Sequence, residues 1–198
     1  DSEHIAVEAL RRAMQENGLP DLPDLYDRVV GKAADVVYRS FVEEFGLRLD
    51  PVSWELRKHH HHFAAADAIH PFPEAIAVFR EFERSGIGQA VVSNSDRAIV
   101  DVQLRLAGLS RPGLITVSRN DVRIGKPDPE GYLRAAWLLN AAPDECLVVE
   151  DSLSGAAAGL AAGMRTAFVT HATVEAPPGT INLATMQELV RLVMGDTC

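Results

Sequence analysis

Two apolar runs in this chain end in polar residues of particular types, and a stiff loop between them carries a lysine. "VVSNS" (91–95) passes from Val91 and Val92 into Ser93, Asn94 and Ser95, and "LVVEDSLSG" (147–155) passes from Leu147, Val148 and Val149 into Glu150 and Asp151. "GKPDPEGY" (125–132) holds Lys126 between a glycine and a proline. Adjacent carboxylates repel one another and lose hydration in a partly closed site, so Glu150 and Asp151 call for a cation. A hard cation takes oxygen ligands, and Mg²⁺ commonly uses one or two carboxylates together with water and phosphate. Lys126, on a loop stiffened by Pro127 and Pro129, is a compact positive charge suited to an anion. Ser93 and Asn94 lead into a helix whose first turn offers free amides, again suited to an anion. Each feature also has a plainer explanation. Ser95 or Asp96 can cap one helix, Asp151 or Ser152 another, and a loop lysine is often only solvated. Taken together on successive loops, they read as a site for metal-assisted phosphoryl chemistry, which needs mainly positioning and charge stabilisation.

The elements that must position these residues alternate after residue 70. Helix 73–84 leads to the strand "GQAVVS", helix 96–107 to "LITVS", helix 128–139 to "CLVVE", and helix 152–162 to "RTAFVT". "INL" (181–183) reads as a last edge strand and 184–194 as a closing helix. Strands that are apolar without alternation, each followed by a helix, predict an α/β core with a parallel sheet covered on both faces. Leu147, Val148 and Val149 are expected to be fully buried. In such sheets ligands bind beyond the carboxyl ends of the strands, where all three segments lie. Before residue 70 the pattern is helical: 2–14 with Ser2 as cap and Gly18 as stop, then 22–30, 33–45 ending at Gly46, and about 51–66 from Pro51. Short connections between them predict a small helical bundle.

The chain has 198 residues, 47% hydrophobic and 24% charged, enough for a core domain carrying a smaller one. A net charge of -9 with no basic run argues against a nucleic-acid surface. No apolar stretch approaches the roughly 20 residues of a membrane span, and no secretory signal opens the chain. Cys146 begins a strand and Cys198 is the last residue, which suggests no disulfide framework and fits a reducing cytoplasm. A monomer or a weak dimer is expected.

These segments resemble the haloacid dehalogenase superfamily, in its capped phosphatase and β-phosphoglucomutase-like branch. "VVSNS" looks like the second motif of that family, "GKPDPEGY" the third and "VVEDSLSG" the fourth. The resemblance implies a Rossmann-like core over 69–198, a helical cap over 5–68, and hinges at 1–4 and 69–73. By this likeness Ser93 and Asn94 bind the transferring phosphate. Lys126 pairs with that phosphate and with the nucleophile, and Glu150 and Asp151 hold Mg²⁺. Replacing Lys126 is expected to leave stability nearly unchanged, since a loop lysine packs little.

The family's first motif is an aspartate nucleophile, one residue, a second aspartate, glycine, and threonine or valine, on a central strand. Residues 1–198 do not contain it, and the "DSE" that commonly follows it stands at Asp1-Ser2-Glu3. Asp1 is a poor nucleophile candidate, because no strand precedes it and His4-Ile5 replaces the glycine turn. The expectation is that a first strand precedes Asp1 in the native chain. "QAVVS" and "CLVVE" would then not be hydrogen-bonded neighbours but lie about 10 Å apart, two strand spacings.

Fainter signals remain. Successive helical residues point about 100° apart, so the run His59 to His62 cannot all face one ion. His59 and His62 can share a face, but an exposed polar turn is the favoured reading. His4 either approaches the site or faces solvent. Lys32, in "VVGKAAD", is the cationic candidate for reading substrate in the cap. Sugar-phosphate mutases of this kind tend to carry an arginine in that loop. Ala33 and Ala34 offer none, which favours hydrolysis. The leading expectation is a Mg²⁺-dependent phosphatase acting on a small phosphorylated metabolite, a sugar or polyol phosphate, through an aspartyl-phosphate. The alternatives are a phosphomutase, a 2-haloacid dehalogenase needing no metal, and a catalytically silent binding protein of the same fold.

Overall fold

In residues 1–71, one of the two units into which the chain divides, apolar side chains at helical spacing close around Trp54. The structure is a computed structural model that describes residues 3–30, 32, 34–169 and 174–195. The expected cap at Ser2, the hinge residue Asp1, Ala33, the end of "RTAFVT" at Thr170, and Cys198 lie outside the described residues. The first unit contains α1 (Glu3–Glu16), α2 (Leu25–Val29), α3 (Ala34–Phe45) and α4 (Pro51–Ala64). Leu10 and Met14 of α1, Leu25 of α2, and Val37 and Phe41 of α3 pack with Trp54 of α4. Trp54 meets Phe41 edge-on, with ring centroids 5.9 Å apart. Gly18 and Gly46, at φ of 66° and 69°, let the chain turn away after α1 and α3 in a conformation other residues resist. Asp50 starts α4 by accepting bonds from the amides of Val52 and Ser53, both at 3.0 Å.

The histidine run does not form an exposed turn. It lies within α4, where helical rotation carries His62 inward to 3% exposure while His60 stays exposed. Burial, aided by the charge of His59, holds the His62 pKa below the usual histidine range.

The second unit, residues 72–198, holds the strands. Its order is α5 (Pro73–Arg84), β1 (Ala90–Val92), α6 (Arg97–Leu106), β2 (Ile115–Val117), α7 (Glu130–Leu139), β3 (Leu147–Glu150), α8 (Leu153–Ala161), β4 (Arg165–Val169), β5 (Ile181–Leu183) and α9 (Met186–Met194). Every pairing is parallel, as expected of strands separated by helices. β1 pairs with β2, Ala90 opposite Ile115, and β3, β4 and β5 form a second sheet in that order. One apolar cluster joins Val78 and Phe82 of α5 with Ala167 of β4 and Leu189 and Val190 of α9. On the opposite face of β3 and β4, Val148 packs with Tyr132 and Ala136 of α7 and Ala158 of α8. Helices therefore cover both faces.

Among the described residues, β1 and β3 do not pair. Between them lies a cavity of about 690 Å³, lined by Val91 and Val92 of β1, Leu147 and Val149 of β3, and side chains of α5, α7 and α9. This corrects one expectation: β3 is not fully buried. Val149 is 38% exposed because it borders this cavity, while Val148, on the packed face, is buried. No helix among the described residues is long and apolar enough to cross a membrane.

Candidate active site

At the carboxyl end of β1 the ladder runs on one residue, with the Ser93 amide donating to Val117 O at 2.9 Å. The Ser93 hydroxyl then accepts from the Ser95 amide at 3.1 Å, turning the chain toward α6. Asp96 stands at the cap position of α6, yet its side chain makes no capping bond there.

Asn94 is bound to a loop 32 residues away. Its Nδ2 donates to Lys126 O at 2.9 Å, and its Oδ1 accepts from the Lys126 amide at 2.8 Å. This reciprocal pair copies a strand-like bond and fixes the backbone of Lys126. Gly125 makes it possible, since a Cβ there would stand 2.6 Å from Asn94 Oδ1. Glu130 secures the other side of the loop, accepting from the amides of Arg123 and Ile124 at 3.0 Å each. Those amide bonds, that of Ile124 first, hold its carboxyl below the usual range.

The Lys126 side chain spans the two sheets. Its Nζ donates to Val92 O, at the end of β1, at 3.2 Å and to Glu150 Oε1, at the end of β3, at 2.5 Å. It also sits over the Tyr132 ring, 5.7 Å from the centroid. Both partners of the ion pair are withdrawn from water, at 11% exposure for Lys126 and 8% for Glu150. Burial alone would raise the Glu150 pKa. The Lys126 charge and hydrogen bonds from Lys126, Tyr132 and Ser152 outweigh it, so the carboxyl stays below its ordinary value.

Glu150 is thus the most heavily bonded group of the site. The Tyr132 hydroxyl shares Oε1 with Lys126, and the Ser152 hydroxyl donates to Oε2 at 2.8 Å. Ser152 also caps α8, accepting from the Gly155 amide at 3.1 Å, so the cap falls on Ser152 rather than Asp151. Asp151, the residue after Glu150, is exposed. The donor set fits Mg²⁺: two neighbouring carboxylates, one engaged with lysine and one exposed.

The structure thus brings Asn94, Lys126 and Glu150 into one bonded group at the strand ends, with Ser93 next to Asn94 and Asp151 next to Glu150. Lys32 is exposed in the first unit. His4 is exposed on α1. Sequence offers Ser152 only as a helix cap and does not single out Tyr132 or Glu130. Their signal was position: the last residue of "GKPDPEGY", its glutamate, and the serine directly after the acid pair.

The chain is 37% identical over 107 residues to hexitol phosphatase A of Escherichia coli (strain K12), a match covering 54% of this chain. It spans about half, 49%, of the length of that relative. It is 27% identical over 173 residues to the phosphorylated carbohydrates phosphatase of Thermotoga maritima, covering 86% of this chain and 80% of that one. The fold matches the structure of CbbY from Rhodobacter sphaeroides in complex with phosphate, with a TM-score of 0.82 and 20% identity, over 96% of this chain and 90% of that one. Residues 1–163 match the family model described as haloacid dehalogenase-like hydrolase, and the chain belongs to that family.

Proposed function

We propose that this protein is a Mg²⁺-dependent phosphatase acting on a small phosphorylated sugar or polyol. The observation that carries the reading is the Lys126 ammonium, fixed between Val92 O and Glu150 Oε1 at the carboxyl ends of β1 and β3. An ammonium so held retains a third N–H for an incoming phosphate oxygen and needs no reorganisation to meet it. Ser93, which follows Val92 at the end of β1, would add a hydroxyl, and Asp151 would hold the metal, which would supply charge neutralisation for the phosphoryl oxygens. The family route would pass through an aspartyl-phosphate. An aspartate oxygen bonds to phosphorus as the substrate's ester oxygen leaves with a proton, and water then releases phosphate and restores the carboxylate. The sugar or polyol class is supported by the hexitol and carbohydrate phosphatases that the chain resembles.

The test is phosphate release from a panel of hexose, hexitol and other polyol phosphates. It uses the full gene product, with Mg²⁺ and with chelator. Release that depends on Mg²⁺ is expected. Halide release from 2-haloacids in chelator, without phosphatase activity, would replace the reading with a dehalogenase. A bisphosphate intermediate that feeds back into isomerised substrate would replace it with a phosphomutase.

A further inference from the structure

We infer that Tyr132 is a positioning residue for the candidate phosphate-binding lysine, acting through Glu150. This rests on the phosphatase reading only for the choice of reaction. The geometry itself comes from α7 and β3. Tyr132 lies in the first turn of α7, buried, with its hydroxyl on Glu150 Oε1 and its ring under Lys126 Nζ. Two donors, an ammonium and a phenol, therefore meet on one carboxylate oxygen.

That sharing has a mechanical effect. A glutamate carboxylate rotates broadly about its last torsion, so an ion pair alone leaves the oxygen, and the ammonium following it, free to swing. Ser152 fixes Oε2 from α8, and Tyr132 fixes Oε1 from α7. With both oxygens held from different helices, the carboxylate plane is set and so is the site at which Lys126 ends. Sharing also divides Oε1 between two donors, which leaves more of the ammonium's charge for an anion than an exclusive pair would.

Tyr132→Phe keeps the ring under the ammonium and removes only the hydroxyl, which isolates this role. Two measurements are made on parent and variant. The first is the acetylation rate of each lysine by an N-hydroxysuccinimide ester, followed by mass spectrometry. Lys32 and Lys58, the chain's other lysines, serve as internal references. The rate at Lys126 is expected to rise several-fold while Lys32 and Lys58 are unchanged. An unchanged rate at Lys126 overturns the proposal. So does an equal rise at all three lysines, which would mean that the hydroxyl merely stabilises the fold. The second measurement is kinetic, in the full gene product. kcat is expected to fall about tenfold, with KM kept within about twofold, and an unchanged kcat overturns the proposal. If the parent releases no phosphate from any substrate, the phosphatase reading fails, and the acetylation pattern still decides the role of Tyr132.

Discussion

Gly155 and Glu150 are in contact so close that no side chain fits between them. A Cβ on Gly155 would lie 2.0 Å from Glu150 Cδ and within 2.3 Å of both carboxylate oxygens. Glycine here is needed for space, because the first turn of α8 packs directly onto the acid that holds Lys126. Gly155→Ala must therefore expel the carboxylate from its set of donors. We expect a loss of stability of about 1–3 kcal/mol, as for overpacked cores, read as a lowered Tm, together with loss of phosphate release. A Tm and activity equal to the parent would show that the carboxylate can sit elsewhere without cost.

Lys126→Ala is expected to be destabilising as well as inactivating, contrary to what its place in a loop suggests. The amine neutralises a buried carboxylate, and removing one partner of a buried pair costs about 3–5 kcal/mol. The pH dependence supplies a check with a defined sign. In the parent, Glu150 has a folded pKa below its ordinary value of 4.5. Its contribution to stability is therefore full above that value and is lost as pH falls through the lowered one. Without Lys126, burial leaves the folded pKa raised, so the variant gains stability relative to the parent on acidification. Unfolding in denaturant between about pH 7 and pH 4 should show the gap between the two narrowing. A gap that widens toward acid contradicts the pairing.

Asn94 is expected to act on turnover through the backbone of Lys126. Asn94→Ala removes both bonds to that residue, and net hydrogen-bond values of about 0.5–1.5 kcal/mol each set the scale of the stability loss. Asn94→Asp keeps an acceptor for the Lys126 amide and should recover part of the stability. If the two variants unfold at the same denaturant concentration, the acceptor bond contributes nothing.

Asp151→Asn should separate metal binding from folding. Asp151 is exposed, so the substitution is expected to leave Tm within a degree or two while Mg²⁺-dependent phosphate release falls by about a hundredfold or more, as when a charge-stabilising group is lost. Retained activity at ordinary Mg²⁺ concentrations would assign the metal to other ligands.

Much of this site is legible from sequence because strand ends announce themselves. Apolar runs that stop at Ser93 and at Glu150 mark where β1 and β3 end, and the prolines around Lys126 mark a stiff loop. What sequence does not reveal is the set of partners across distance. That the Asn94 amide turns to the backbone of Lys126, or that Tyr132 and Ser152 meet on one carboxylate, depends on how α7 and α8 are rotated on the sheet. A helical period alone does not fix that rotation. The same holds for His62, whose burial follows from the phase of α4, and for Val149, whose exposure follows from the cavity beside β3. Lys126 lies in a loop as the prolines imply, but a residue's place in a loop says nothing of where a long side chain ends.

The Lys126 crossbar has a consequence for local opening. Its ammonium is bonded at once to Val92 O, at the end of β1, and to Glu150 Oε1, at the end of β3. An opening that draws either strand end away therefore also breaks a buried ion pair, and it carries the cost of leaving a charge without its partner. Lys126 thereby ties the fluctuations of the two strand ends to one another.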